Sequence, residues 1–139
     1  MLRAFVLAIG LFAGAAHAAE GEHADAEKKA AIAAKEWLAL VDKGDYAASW
    51  NSACSYMRGA VTQEQWDTSM KGVRAPLGNV VVRKMKSATY STTLPGAPDG
   101  QYVVITYRTR FAKKKGAVET VTPMIDTDGT WHVAGYYIK

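Results

Sequence analysis

Apolar residues recur every three or four positions through the first half of this chain and every second position through the last third. The first period predicts helices and the second predicts strands. Residues 24–43 (ADAEKKAAIAAKEWLALVDK) put Ala30, Ala34, Trp37, Leu38 and Val41 on one helical face, and their alanines favour that state. Gly44 suits a left-handed cap at the end of this helix. Asp45 then caps a second helix, predicted from Tyr46 to about Met57, with Tyr46, Trp50, Ala53 and Cys54 or Met57 near one side. Thr62 and Gln65 have capping-box spacing and open a third helix, Gln63 to about Arg74, which presents Trp66, Met70 and Val73. Pro76 and Gly78 finish it. The polar residues 19–29 are expected to fray.

From Asn79 the alternation predicts strands over 79–91, 101–113, 117–126 and 131–138. Lys114-Lys115-Gly116 and Thr127-Asp128-Gly129-Thr130 read as tight turns, Asp128-Gly129 being a strong hairpin signal. Such turns imply an antiparallel meander. The longer connection, Thr92 to Gly100, holds two prolines and two glycines and is expected to be ordered. Pro123 lacks a ladder donor and predicts a bulge that bends the sheet. In the second strand Val103, Ile105, Tyr107 and Phe111 share a side, with Tyr102, Val104, Arg108 and Arg110 opposite. In the last, Trp131, Val133 and Tyr137 fall on one side and Ala134, Tyr136 and Ile138 on the other. The apolar part of the second face needs its own cover, either a curled sheet edge or a second copy in a homodimer joined through the sheet. The fold class is therefore α+β: N-terminal helices packed on a curved four-stranded antiparallel meander, cone-like in outline.

The first residues change the expected address. Met1-Leu2-Arg3 is a short positive start, Ala4 to Ala15 is apolar, and Ala16-His17-Ala18 is a small-x-small cleavage signal. Residues 1–18 thus read as a cleavable signal peptide and residues 19–139 as one domain, exported to the periplasm or secreted. No transmembrane segment is expected in the mature chain. Cys54, the only cysteine, allows no intramolecular disulfide and reads as a small buried hydrophobe, with an intermolecular disulfide or a reactive thiol as the alternative. Net charge is +4, too modest an excess to argue for a nucleic-acid partner.

Several stretches carry a resemblance. They are Trp37 through Tyr46, Val61-Thr62-Gln63-Glu64-Gln65-Trp66, the Leu94–Gly100 loop running into Tyr102-Val103-Val104-Ile105, Val118 through Met124, and Asp128-Gly129-Thr130-Trp131 through Ile138. Together they resemble the bacterial exported family known as domain of unknown function 4019. The layout is also similar to the nuclear-transport-factor-2-like or cystatin-like cone. That superfamily contains isomerases, dehydratases and plain binding modules, so the resemblance implies a fold and no activity.

The chemistry-bearing residues are sparse. His17 leaves with the leader, His23 lies in the expected frayed start, His132 is expected to face out, and no two histidines have metal-ligand spacing. No nucleophile elbow or phosphate-cradling loop occurs, and neither a catalytic residue nor a metal or other cofactor is expected. Glu119 alone among the carboxylates lies mid-strand, and is expected to pair at the surface with Arg108 or Arg110. Trp37, Trp50, Trp66, Tyr107 and Tyr136 are expected to form core or to line a pocket for a small apolar ligand. Lys84, Lys86, Arg108 and Arg110 gather at one end of the first hairpin, either as a solvated face or as a patch for an acidic envelope partner. The leading expectation is a non-enzymatic binding domain. The alternative is a small acid–base enzyme of the isomerase or dehydratase type, with Glu119 or Asp126 as base and Tyr107 or Tyr136 as hydrogen-bond donor.

Overall fold

A computed structural model describes residues 21–139, and the signal peptide expected over residues 1–18 lies outside the described residues. Four helices come first: α1 (Leu2–Asp42, of which residues 21–42 are described), α2 (Tyr46–Ser52), α3 (Ser55–Ala60) and α4 (Gln63–Arg74). A 3-10 turn, Ala75–Leu77, leads into β1 (Val80–Ser91), β2 (Tyr102–Phe111), β3 (Lys114–Ile125) and β4 (Trp131–Ile138). The strands form one antiparallel sheet in chain order, a meander that does not close. Among the described residues no helix is long and apolar enough to cross a membrane.

The helix ends follow the capping chemistry. Gly44 takes φ 78°, and the N–H groups of Gly44 and Asp45 return to the carbonyls of Val41 and Leu40. Asp45 accepts from the Ala48 N–H at 3.1 Å. Thr62 accepts from the Gln65 N–H at 3.1 Å while the Gln65 side chain accepts from the Thr62 N–H at 3.0 Å, the reciprocal box. Residues 21–29, expected to fray, are helical, and the His23 ring stacks on Tyr90 of β1 at 4.1 Å. The predicted second helix is two helices. Ala53 and Cys54 are extended between them, because the Cys54 N–H is spent on the Val133 carbonyl of β4 at 2.9 Å. Cys54 then caps α3, its sulfur accepting from the Met57 N–H at 3.4 Å.

α1 lies across the sheet and touches all four strands. Its stripe of Ala30, Ala34, Trp37, Leu38 and Val41 meets Val103, Ile105 and Tyr107 of β2, Val121 of β3 and Val133 of β4. The expected bulge at Pro123 is present, and it has a consequence in β4. Thr122 pairs with Gly135 but Pro123 pairs with Val133, so Ala134 is the extra residue. The strand changes phase there. Val133 and Tyr136 both pack on the main core, where uninterrupted alternation would have separated them, and Tyr137 is 61 % exposed. The other face is covered at one end from within the chain. Ala53, Cys54 and Met57 pack on Met124 and Ala134, and the Tyr56 hydroxyl donates to the Gly96 carbonyl of the β1–β2 connection at 3.2 Å.

The β2–β3 turn also differs from expectation. Phe111 pairs with Lys114, so the turn is Ala112-Lys113 and the lysine run begins β3. The N–H groups of Ala112 and Lys113 are held by the carbonyls of Asn79 and Leu77, which fixes the turn two residues early. At the β3–β4 turn, Asp126 accepts from the Ser55 N–H and hydroxyl at 2.8 and 2.6 Å, tying α3 to the sheet. His132 bonds to the Asp128 carboxylate at 2.8 Å through Nε2 and to the Ser52 carbonyl at 3.1 Å through Nδ1. Burial alone would lower the His132 pKa, but Asp128 and the Ser52 carbonyl outweigh it and hold it above 6.5. A raised histidine stabilises the fold fully below its unfolded value and ceases to do so as pH rises through the folded one. The Thr130 amide, which donates to Asp128, should therefore exchange its hydrogen more slowly at pH 5.5 than at pH 8.5 after correction for intrinsic rate, and His132→Gln should abolish the difference.

Candidate functional site

Glu119 is not at the surface. Register places it opposite Tyr107 on the helix-facing side of the sheet, between Ala117 and Val121, and it is fully buried. Its partner is Arg83 of β1, not Arg108 or Arg110, which point from the opposite face of β2. Oε1 accepts from Arg83 Nε at 2.7 Å and from the Thr109 hydroxyl at 2.5 Å. Oε2 accepts from Arg83 Nη2 at 3.2 Å and from the Tyr136 hydroxyl. A carboxylate offers about four acceptor positions, and all four are used. Arg83 turns its other edge to Asp42 at the end of α1, with Nη1–Oδ2 2.7 Å and Nη2–Oδ1 2.9 Å. Arg74 of α4 completes the set with Nη2–Oδ1 3.0 Å to Asp42, its guanidinium 5.0 Å above the Phe111 ring. Two carboxylates and two guanidiniums thus form a neutral chain joining α1, α4, β1 and β3.

Electrostatics in this chain follow from contact. Burial works against the Arg83 charge, yet Asp42 and Glu119 together hold its pKa above the ordinary arginine value. Burial would raise Asp42, but Arg83 and Arg74 leave it lowered. Burial first, then the neighbouring Glu119 carboxylate, keeps the Tyr136 hydroxyl protonated well above its ordinary value. Tyr107 is pushed up to about 12 by burial, with Arg83 opposing the rise. Its hydroxyl is buried and has no hydrogen-bond partner among the described residues. Buried hydroxyls are normally paired, so this one needs an explanation.

A cavity of about 510 Å³ lies beside it, between α1 and the β1–β2 hairpin. Ala31, Ile32, Leu38 and Met85 form apolar walls, Tyr107 and Arg83 line it from the sheet, and Lys28 and Lys35 line it from the helix. The two lysines are seven residues apart, two turns of helix, so they leave α1 on the same side about 10 Å apart along the axis. Neither forms an ion pair among the described residues. Ile32 and Met85 are 53 % and 49 % exposed, large apolar side chains left open to solvent at the mouth.

Of the aromatic residues singled out from the sequence, Tyr107 alone lines this cavity. Trp37 is in the core with its Nε1 donating to the Ser49 carbonyl at 2.8 Å, and one side of it also borders a separate groove with Trp131 and His132. Trp50 donates to the Val61 carbonyl, Trp66 to the Ser49 hydroxyl, and Tyr136 to Glu119. Asp126 is committed to Ser55 and does not line the cavity. On the opposite face Lys84 pairs in register with Arg108, and these two join Arg110 and Lys115 around a shallow depression of about 290 Å³. Lys86 is set apart from it, at the β-bulge between Met85 and Ser87. Among the described residues no three His, Cys, Asp or Glu side chains are grouped to hold a metal ion.

Sequence reasoning missed Arg83 as the partner of Glu119, and Asp42, Arg74, Lys28, Lys35, Ile32 and Met85 altogether. One signal was present. Glu119 shares its strand parity with Ala117 and Val121, both core residues, so alternation alone placed it inside. The lysines gave none, because exposed helical lysines are ordinary. No curated protein and no solved structure matches this chain. The model of the family described as Protein of unknown function (DUF4019) matches residues 33–136, which include Asp42, Arg74, Arg83, Tyr107, Thr109, Glu119 and Tyr136, and the chain belongs to that family.

Proposed function

We propose that this chain is an exported binding module whose α1–β1 cavity takes a small apolar molecule. The observation that carries the reading is the cavity itself. Its volume of about 510 Å³ falls within the ~300–1,000 Å³ of small-molecule sites, Ala31, Ile32, Leu38 and Met85 give it apolar walls, and two of these, Ile32 and Met85, are large side chains left open to solvent. The alternative, acid–base catalysis by Glu119, is disfavoured by saturation. A general base needs a free lone pair within hydrogen-bond reach of the substrate proton. Glu119 has given its acceptor positions to Arg83, Thr109 and Tyr136, and taking a proton would break a charge-assisted bond. The leader-like residues 1–18 support export.

The test is a neutral apolar fluorophore, N-phenyl-1-naphthylamine, titrated into the purified chain. One saturable site with enhanced emission is expected. Met85→Asp, which sets a charge in a wall that is already half open, should weaken it about tenfold without unfolding the domain. An unchanged dissociation constant in that variant would place the bound fluorophore elsewhere and remove the reading.

A further inference from the structure

We infer that the natural occupant of the α1–β1 cavity is an amphipathic monoanion: a carboxylate on a short aliphatic chain, its head accepting from the Tyr107 hydroxyl and neutralised by Lys28 and Lys35. This rests on the apolar-cavity reading and gives its ligand a chemical class. Three observations converge. The first is the charge count. Arg83 is neutralised by Asp42 and Glu119, and Arg74 offsets the remaining charge, so the wall behind the cavity is neutral. Lys28 and Lys35 then leave the cavity with two positive charges and no carboxylate to meet them among the described residues. An incoming anion meets attraction at the mouth and no net repulsion behind it.

The second is the donor count. Arginine has five N–H groups, and Arg83 uses four on its two carboxylates, which leaves one on Nη1. On the sheet side of the cavity the Tyr107 hydroxyl is a second unused donor, facing the ammonium groups of Lys28 and Lys35 on the helix side, which are unpaired among the described residues. It stays protonated at neutral pH, so it donates to an anion and does not repel it. Two donors match the two oxygens of a carboxylate. A buried hydroxyl without a partner costs stability, and a ligand oxygen removes that cost only when bound. The third is the lining. Ala31, Ile32 and Met85 offer nothing to a second polar group, so the remainder of the ligand is hydrocarbon.

The experiment compares octanoate, octan-1-ol and octylamine by calorimetry, with the labelled methyl of Met85 followed by NMR to report cavity occupancy. Octanoate should bind at least tenfold more tightly than octan-1-ol at low salt, the gap narrowing as salt screens the lysines. Decanoate should gain about fourfold per added methylene. Lys28→Gln with Lys35→Gln should bring octanoate down to the affinity of the alcohol. Tyr107→Phe should weaken octanoate about three- to tenfold while leaving the chain-length dependence intact. Equal binding of octanoate and octan-1-ol with the Met85 methyl shifted overturns the anion and leaves the apolar cavity standing. So does octylamine binding as tightly as octanoate, or octanoate affinity that survives loss of both lysines. No binding of any of the three, with the Met85 methyl unmoved, overturns both readings together.

Discussion

Glu119→Gln is expected to destabilise this domain by about 3–5 kcal/mol, although it removes no volume and only one charge. The reason is the company Glu119 keeps. Every group around its carboxylate is a donor: Arg83 Nε and Nη2, the Thr109 hydroxyl and the Tyr136 hydroxyl. An amide brings its own NH₂ into that ring and leaves the guanidinium without half of its counter-charge. A buried guanidinium deprived of a partner is costly, whereas a complete buried pair contributes little net stability against an apolar replacement of the same size. Arg83→Met combined with Glu119→Leu should therefore recover part of the loss, and the cycle should give a coupling energy of about 1–3 kcal/mol. Urea unfolding measures it. With a denaturant slope of ~1–3 kcal/mol/M for a domain of this size, the midpoint of Glu119→Gln should fall by roughly 2 M. A fall worth less than about 1 kcal/mol would mean that Glu119 is not the charged junction of four elements.

That junction explains which parts of this protein can be read from its sequence and which cannot. The helices are announced locally. Thr62 with Gln65, Asp45 and Gly44 each act on backbone groups within four residues, so their spacing in the chain is their spacing in space. Asp-Gly at the last turn is equally local, and Gly129 adopts the φ of 78° that the turn requires. The break inside the predicted second helix is not local. It depends on a carbonyl at Val133 that claims the Cys54 N–H, and nothing near Cys54 reports this. The phase of β4 fails for a related reason. Pro123 announces a bulge, but the extra residue is Ala134 on the partner strand, where composition gives no sign. Glu119 and Arg83 are 36 residues apart and Asp42 lies 41 before Arg83, so only the folded register brings their charges together. The cavity is the least legible feature. Its open side is built from exposed side chains of α1 and β1, Lys28, Ile32, Lys35 and Met85, residues whose ordinary role in a sequence is to keep a surface wet, and only Leu38 and Tyr107 behind them are buried.

Trp37→Ala is expected to cost about 3–5 kcal/mol, the usual range for removing a buried aromatic side chain, and Trp37→Phe about 1–2 kcal/mol. The smaller loss in Trp37→Phe reports chiefly the indole N–H, and the difference between the two variants reports the packing of the ring. Trp37 Nε1 donates to the Ser49 carbonyl at 2.8 Å across twelve residues, and this bond fixes α2 against α1. Ser49 is fully buried and is held twice more, by its own hydroxyl on the Tyr46 carbonyl and by Trp66 Nε1 on that hydroxyl. Phenylalanine keeps most of the packing and strands the Ser49 carbonyl, which then bears the cost of an unpaired buried acceptor. Alanine also removes the ring that sits 5.3 Å from Tyr136 in an edge-on arrangement and 6.0 Å from Trp66. Tyr136 is the residue that reaches Glu119, so the two sites share a side chain and their effects should not add. Trp37→Phe with Glu119→Gln should cost less than the sum of the separate changes, because once the ring beside it is altered Tyr136 has less orientation left to lose. Strict additivity of that pair, measured by denaturant unfolding, would show that the aromatic layer and the buried ion chain stabilise this sheet independently.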